Sequence, residues 1–389
     1  MIAMVNRARM LVLLMTTVST AAMTGAAARA FGQTQPGVPA HLVNARIVAR
    51  SAAAGLEPTF RGIESAEAGP AWIAYAVPAF PGRHEMCCGS YHGDDASETC
   101  CGRCRLEGES QQGFTMNDHA PESVKLEEPQ QALVLYRIEG KKVEKVRVFS
   151  LDCELDAGGR TVYWLADVKP EESVRWLASL VATQKAENED DDSDWRRLAD
   201  GAMMAIAVHA DPAADAALEQ FVAASQPERR REKAAFWLGA ERGRRGFEVL
   251  DRLVRHDPSD QFREKAVFAI FVSKEPKATD TLIEVARNDS SGHVRGQALF
   301  WLAQKAGRKT EEGKAAAAIR QAIDNDPETE VKKKAVFALS QLPKDQGVPL
   351  LIQVARTNRN PAVRKQAMFW LGQSGDSRAL AFFEDVLSH

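Results

Sequence analysis

The sequence lacks the motifs that identify common enzyme classes. It contains no G-x-S-x-G nucleophile elbow, no phosphate-binding glycine loop and no H-E-x-x-H helix. It also has no excess of positive charge, since 50 Lys and Arg residues face 53 Asp and Glu residues, for a net charge of −3. These absences predict a non-catalytic protein with no cofactor and no nucleic-acid partner.

Long apolar runs are missing beyond the N-terminus. There, Arg7 and Arg9 precede a short apolar core over residues 10–18, and Ala28-Arg29-Ala30 has the A-x-A form of a cleavage site. The apolar core is too short for a conventional membrane span. We therefore predict a signal peptide over residues 1–30, with an uncleaved anchor as the alternative.

The segment after this signal contains nothing that would hold the chain in a membrane. Residues 31–40 form a linker rich in Gln, Pro and Gly, and no later stretch is apolar for long enough to cross a bilayer. No cysteine stands near the cleavage site, which argues against a lipoprotein anchor. The expected location is the periplasm or outside the cell, with no membrane span after signal cleavage.

Cysteine is absent from the C-terminal half of the chain. The six cysteines are Cys87, Cys88, Cys100, Cys101, Cys104 and Cys153. An even number of cysteines in an exported chain favours disulfides, which would hold a segment too polar to form its own core. The pairing of six cysteines stays open.

Two other interpretations of the cysteine cluster give the alternative function, a thiol-redox or metal-dependent enzyme. Cys101-Gly102-Arg103-Cys104 has C-x-x-C spacing, although no thioredoxin-like pattern surrounds it. Zinc could bind thiolates from the five clustered cysteines with His84 or His92, although adjacent Cys-Cys pairs fit the usual ligand spacing poorly. The zinc candidates are Cys87, Cys88, Cys100, Cys101 and Cys104.

Residues 41–182 alternate apolar and polar side chains, the period of β-strands. We predict strands over residues 46–48, 71–77, 132–138, 143–149 and 161–165. Lys169-Pro170-Glu171-Glu172 then opens one amphipathic helix. The prediction is a small β-rich α+β domain, followed by an acidic linker over residues 183–194 that lacks the glycine spacing of an EF-hand calcium loop.

The C-terminal half is built on a repeated segment, Lys233-Ala234-Ala235-Phe236-Trp237-Leu238. Its alanine recurs at positions 202, 234, 266, 298, 335 and 367, in steps of 32, 32, 32, 37 and 32 residues. An apolar residue follows each alanine 16 positions later, with five extra residues in one repeat, and marks a second amphipathic helix. We predict an all-α solenoid of about six helical hairpins over residues 195–389.

These repeats resemble HEAT-type repeats, in the short variant known from phycobilisome lyase-like proteins. The characteristic Val-Arg pair stands at Val294-Arg295 and Val363-Arg364, with variants at Phe262-Arg263 and Val331-Lys332. Together with the signal peptide and the cysteine-containing domain, the chain looks like secreted bacterial HEAT-repeat proteins. The resemblance implies a solenoid fold but no single activity, because the group includes lyases, metal-dependent hydroxylases and scaffolds.

The hydroxylases of this group bind iron through His-Glu pairs on their repeat helices. The repeats here contain four histidines, none followed by glutamate: His209, His256, His293 and His389. A lyase-like activity would need a tetrapyrrole partner that the sequence does not specify. The predicted function is therefore an exported, non-catalytic scaffold for protein–protein interaction, with a lyase-like protein as a further alternative.

One position of the repeat alternates strictly between small and large. It reads Ala205, Trp237, Ala269, Trp301, Ala338 and Trp370. One interpretation is packing, with each indole over a methyl group of the neighbouring repeat. The other is that Trp237, Trp301 and Trp370, or the preceding row of one methionine and five phenylalanines, line a binding surface.

The last predicted helix carries Phe382, Phe383, Val386 and Leu387, with no polar cap repeat after it. Exposed apolar residues there would dock a partner or a second copy of the chain, so Phe382 joins the interaction candidates. The alternative is that Phe382 folds back onto the preceding repeat.

Overall fold

The computed structural model describes residues 41–82, 104–107, 130–151, 153–183, 196–305 and 312–388. Their N-terminal part is built on a five-stranded sheet in the order β2-β8-β3-β5-β6. The strands are β2 (Arg46–Ser51), β3 (Ala71–Pro78), β5 (Gln131–Glu139), β6 (Lys142–Ser150) and β8 (Thr161–Ala166). All five were predicted from the alternating pattern.

The sheet is mixed. Strand β8 pairs in parallel with β2 and β3, whereas β3, β5 and β6 are antiparallel neighbours. The turn between β5 and β6 has positive φ angles at Gly140 (58°) and Lys141 (64°), the combination that suits a two-residue hairpin between twisted strands.

Successive residues of the central strands enter two different cores. Ile73 and Tyr75 of β3 face helices α1 (Leu56–Ala66) and α2 (Pro170–Thr183). Trp72 and Ala74 face a smaller core on the other side of the sheet. Because alternate side chains leave a strand on opposite faces, this central strand is apolar throughout and covered on both sides.

The smaller core lies beneath a second sheet of three two-residue strands in the order β1-β7-β4. These are β1 (Leu42–Val43), β4 (Cys104–Arg105) and β7 (Leu155–Asp156). The sequence analysis predicted neither this sheet nor α1. Two-residue strands are too short to show a period, and α1 was missed although Leu56, Phe60 and Ile63 have helical spacing.

The C-terminal part is the predicted solenoid. A short π-helix (Arg196–Asp200) leads into six consecutive helical hairpins, which confirms the predicted fold class. The first helices of the hairpins, here called the alanine helices, are α3 (Gly201–Val208), α5 (Glu228–Glu241), α7 (Asp260–Val272), α9 (Gly292–Lys305), α11 (Thr329–Ser340) and α13 (Pro361–Gln373). The second helices are α4 (Ala213–Phe221), α6 (Gly243–His256), α8 (Ala278–Asn288), α10 (Glu312–Asn325), α12 (Lys344–Thr357) and α14 (Ser377–Ser388).

Arginines of the alanine helices join successive repeats. Arg263 donates to both carboxylate oxygens of Asp289, at 2.8 and 2.9 Å, and to the carbonyl oxygen of Asp257 in the preceding repeat. Arg295 repeats the pattern with Asp326 and the carbonyl oxygen of Asp289. These side chains are almost entirely buried, and their hydrogen bonds to each other offset the cost of removing the charges from water.

The sheet and the first hairpin share one apolar core. The same cluster of buried residues contains Phe60 and Tyr136 of the sheet region and Met203 and Ile206 of α3. Gly201 lies so close to β6 that an added methyl group would overlap with the carbonyl oxygen of Val146. Of the predicted acidic linker, residues 183–194, Thr183 ends α2 and residues 184–194 lie outside the described residues, but the parts on either side of the linker are in direct contact.

Candidate protein-binding face

The alanine helices leave one side of each repeat partly exposed. In α5, Ala234, Ala235 and Leu238 are buried, whereas Phe236 and Trp237 are half-buried. In the later alanine helices the phenylalanine at the Phe236 position is likewise partly or mostly exposed. The partly exposed side chains therefore form rows that run from repeat to repeat.

Aromatic rings in these rows contact one another without a break over five repeats. We call them the aromatic ladder: Phe236, Trp237, Phe268, Phe271, Phe300, Trp301, Phe337, Phe369 and Trp370. Phe369, at the C-terminal end of the ladder, is the most open of these rings, with 54% of its surface exposed.

Two kinds of joint alternate along the ladder. Between α5 and α7, the rings of Phe236 and Phe268 stack with centroids 6.0 Å apart. Between α9 and α11, Phe300 and Phe337 stack in the same way at 5.9 Å, with their planes 6° apart. In these two joints the later helix has alanine at the alternating position.

At the other joints the later helix carries a tryptophan. The indole of Trp301 reaches back to Phe268, with centroids 4.7 Å apart, and Trp370 reaches back to Phe337 at 4.9 Å. The small–large alternation in the sequence thus alternates Phe–Phe with Trp–Phe contacts. At the joints with a tryptophan, the indole contacts the phenylalanine ring of the preceding alanine helix.

The three tryptophan candidates have features of both sequence interpretations. Trp237, Trp301 and Trp370 each pack against the apolar core and remain partly exposed. They support the stacking of the repeats and also contribute to an accessible surface. A partner that binds there would meet rings whose orientation is already held by their neighbours.

A row of polar side chains lies one helical turn before the phenylalanine row. In the N-terminal repeats, each cation pairs with an acid of the preceding repeat. Lys233 pairs with Asp200, the residue before α3, at 3.0 Å, and Lys265 pairs with Glu232 of α5 at 3.5 Å. Across the next joint Gln297 donates to Glu264 at 2.9 Å. The charges on this part of the face are therefore largely balanced.

A buried hydrogen-bond chain lies where the first repeat meets the sheet. It runs from Tyr136 through Tyr75 and Ser173 to His209, and all four side chains are fully buried. The Nδ1 atom of His209 lies 2.6 Å from the carbonyl oxygen of Ala205, which can only accept, so Nδ1 carries the proton and Nε2 accepts from Ser173 at 2.8 Å.

Burial determines the protonation states in this chain. It lowers the pKa of His209 to about 4, so the ring is neutral at pH 7, and it raises the pKa of both tyrosines. Each side chain in this row has a hydrogen-bond partner within the row, and none reaches the surface. The row of hydrogen bonds is therefore a polar connection between the sheet and the solenoid. Sequence reasoning missed it, since nothing in the local patterns links residues so far apart.

A second connection surrounds the same junction. The guanidinium of Arg242 donates to the carbonyl oxygens of Ala207 and His209, at 3.0 and 2.6 Å, and lies over the ring of Phe80. The residue after β3, Ala79, forms an isolated antiparallel bridge with His209. The turn that ends α3 is therefore held by the sheet and by the next repeat.

Two of the six cysteines lie within the described residues. Cys104 and Cys153 are buried in the smaller core of the sheet region, and both are disulfide-bonded. The zinc candidates Cys87, Cys88, Cys100 and Cys101, with His84 and His92, lie outside the described residues. Within those residues, no group of three or more His, Cys, Asp or Glu side chains is placed to hold a metal ion.

Phe382 is not available as an interaction residue, contrary to the prediction. Only 3% of its surface is exposed, because it folds back onto the preceding repeat with Ala379. The repeat spacing placed Phe383 in this buried position, one residue later. The exposed apolar side chains of α14 are instead Leu380, Val386 and Leu387, the last with 87% of its surface exposed.

The geometry agrees with comparisons to known proteins at the level of the fold. Residues 316–389 match the family model for HEAT repeats. No curated protein matches the sequence. No helix of the described ranges is both long and apolar enough to cross a membrane.

Three solved structures show the extent of the similarity. The Escherichia coli protein YibA is 23% identical, with a TM-score of 0.32, over 43% of this chain and 61% of that chain. The CpcE–CpcF complex of phycocyanin lyase from Nostoc sp. PCC7120 is 15% identical, with a TM-score of 0.33, over 43% and 97%. Human deoxyhypusine hydroxylase is 18% identical, with a TM-score of 0.23, over 56% and 90%. The alignment thus spans less than two thirds of the E. coli protein.

Proposed function

We propose that this protein is an exported, non-catalytic scaffold that binds a protein partner along the aromatic ladder. The observation that carries the proposal is the unbroken contact of partly exposed rings across five repeats. Contiguous apolar surface on a soluble protein commonly marks an interaction site, and aromatic side chains supply much of the energy at such sites.

The repeat architecture suits this role. The alanine helices are fixed to their neighbours by close packing and, in α5, α7 and α9, by buried arginine–aspartate contacts, so the ladder is held in place before a partner arrives. Little conformational entropy is then lost on binding. The buried junction to the sheet extends this support to the first repeat.

Export is supported by the N-terminal signal pattern and by the disulfide-bonded state of Cys104 and Cys153, since disulfides persist in oxidising compartments. In this proposal the cysteines are structural, which leaves the thiol-redox or zinc enzyme as the competing function. Self-association through the last repeat is a separate proposal that rests on the exposed side chains of α14.

The scaffold proposal is tested by affinity capture of cell-envelope proteins with the full chain. The variant Phe369→Ser removes the most open ring of the ladder, and Leu387→Ser removes an exposed apolar side chain outside it. We expect a partner captured by the wild-type chain to be reduced at least about tenfold by Phe369→Ser, because interface aromatics commonly contribute 2 kcal/mol or more. Leu387→Ser should leave capture unchanged.

The control also separates the two apolar surfaces. Equal capture by Phe369→Ser and wild type would contradict binding on the ladder. If the wild-type chain captures a second copy of itself and only Leu387→Ser fails to do so, self-association is assigned to the last repeat. Circular dichroism of both variants establishes that they are folded.

A further inference from the structure

The charge of the ladder face changes from its N-terminal to its C-terminal repeats. Two positions before the repeated alanine, the residues are Glu232, Glu264, Gly296, Lys333 and Lys365. The acids that neutralise the first lysines are thus replaced by glycine and then by cations. The C-terminal part of the face carries an excess of positive charge.

The lysines of this part have few acidic partners. The amino group of Lys334 lies 3.5 Å from Nδ1 of His293, and its side chain occupies the space over Gly296 where earlier repeats have glutamate. Lys333 pairs within its own helix, with the exposed Glu330 at 3.1 Å. Within the described ranges, no carboxylate pairs with Lys334 or Lys365.

The remaining acid in this neighbourhood is already engaged. Glu328, at the start of α11, accepts from Arg295 at 2.9 Å and lies beside Gly292. It therefore satisfies the buried arginine rather than the surface lysines. Lys334 and Lys365 therefore have no carboxylate partner within the described ranges.

Aromatic rings lie directly beside these cations. Phe300 and Phe337 are stacked with nearly parallel planes, and Phe369 is more than half exposed. Because Phe300 also contacts Trp301 and Phe337 also contacts Trp370, this surface has few free ring faces and is poorly suited to stack on nucleic-acid bases. It suits apolar side chains that lie across the ring edges.

The spacing of the repeats limits the form of the ligand. Packed helices lie roughly 8–10 Å apart, and a polypeptide in the polyproline II conformation rises about 3.1 Å per residue with three residues per turn. A segment of this kind that crosses the alanine helices would thus meet a new helix about every three residues. Carboxylates at every third position would lie on one side of the segment and reach successive lysines, with apolar side chains between them on the rings.

We infer that the C-terminal half of the ladder face, made by His293, Lys334, Lys365, Phe300, Phe337 and Phe369, binds an extended acidic segment of a partner protein that has carboxylates at every third position and apolar side chains between them. This inference rests on the proposed function and specifies its ligand. Opposite charges would also direct the segment to this half of the face rather than to the balanced N-terminal half.

The test uses the full chain and a fluorescein-labelled peptide of about 12 residues, long enough to cross the last three alanine helices. The peptide has Asp or Glu at every third position and Phe or Leu between, and a reference peptide has Lys in place of each acid. Fluorescence anisotropy measures the affinity of both peptides over a range of NaCl concentrations. We expect the acidic peptide to bind at least about tenfold more tightly than the reference, with an affinity that falls as salt rises.

The charge-reversal variant Lys334→Glu/Lys365→Glu should weaken binding of the acidic peptide by at least about tenfold. The matched variant Lys274→Glu/Lys344→Glu makes the same change in net charge at exposed positions outside the face and should have no effect. Equal affinity for the two peptides, or equal weakening by the two variants, would overturn the inference. So would tighter binding of a single-stranded oligodeoxynucleotide, which would indicate a nucleic-acid site.

Failure of the acidic-segment inference can be distinguished from failure of the scaffold proposal by partner capture with the same variants. If Phe369→Ser abolishes partner capture but Lys334→Glu/Lys365→Glu does not, the ladder binds a partner and the acidic-segment inference is wrong. If neither variant reduces capture, the scaffold proposal itself fails.

Discussion

At the scale of single residues, His209 shows how the two parts of the chain are joined. Its ring is fully buried, donates to Ala205 in its own repeat and accepts from Ser173 in the sheet region. The sequence analysis considered His209 only as a possible metal ligand and found no partner for it. Its partner in the sheet region, Ser173, lies 36 residues away along the chain, so no local pattern could identify it.

The first prediction at this scale concerns pH. Burial lowers the pKa of His209 from its ordinary 6.5 to about 4, so between these values the unfolded chain binds a proton that the folded protein excludes. The free energy of unfolding should therefore fall as the pH drops from 6.5 to 4, by about 3 kcal/mol from this residue, with no contribution from it above that window. Urea unfolding at a series of pH values measures the effect.

The variant His209→Gln isolates this contribution, because an amide can donate to Ala205 and accept from Ser173 without taking up a proton. The difference between wild type and variant should narrow as the pH falls from 6.5 to 4, even though carboxylates elsewhere also titrate. His256→Gln, which makes the same exchange at an exposed position of α6, serves as the control. Parallel profiles for wild type and His209→Gln would contradict the assignment.

At the scale of helices, the repeat spacing predicted most of what was found. The residues 16 positions after the alanines, among them Leu218, Leu250 and Leu282, are buried in the second helices. The rule fails by one residue in α14, where Phe382 rather than Phe383 enters the core.

Close approach of the alanine helices gives the second prediction. An added methyl group at Gly239 of α5 would overlap with the carbonyl oxygen of Ala269 in α7, whereas a methyl group at Gly372 of α13 would meet nothing. Gly239→Ala should destabilise the protein by about 1–3 kcal/mol, because helix propensity favours alanine by only about 1 kcal/mol. Gly372→Ala should be neutral or stabilising by up to about 1 kcal/mol.

Thermal unfolding monitored by circular dichroism compares these two variants directly. Since both exchange glycine for alanine inside a helix, the difference between them reports the packing of one repeat on the next. Equal stability of the two variants would show that the alanine helices can separate without cost, contrary to the structure described here.

At the scale of the whole molecule, the sequence distinguished the sheet region from the solenoid but not the way they meet. The change from period 2 to helical period is visible along the chain, and the acidic residues between the two parts read as a spacer. The structure places Phe60, Tyr75 and Met203 in one continuous core. A shared core depends on which apolar faces meet in three dimensions, and both faces look alike in sequence.

The sequence likewise predicted only part of the aromatic ladder. The alternation of alanine and tryptophan pointed to the joints between repeats, and the structure shows rings in contact across them. The charge gradient beside the ladder could also have been found by aligning the repeats, since Glu232, Glu264, Gly296, Lys333 and Lys365 occupy one repeat position. Only the structure identifies the lysines that lack acidic neighbours.

The central claim is that a partner protein lies on the ladder face, and site-specific photocrosslinking tests it most directly. A photoreactive phenylalanine analogue placed at Phe369 should crosslink a partner in the producing cells. The same analogue at Arg244, an exposed position on the second helix of the second repeat, should not. Crosslinks of equal yield from both positions, or from Arg244 alone, would show that the ladder is not the binding face.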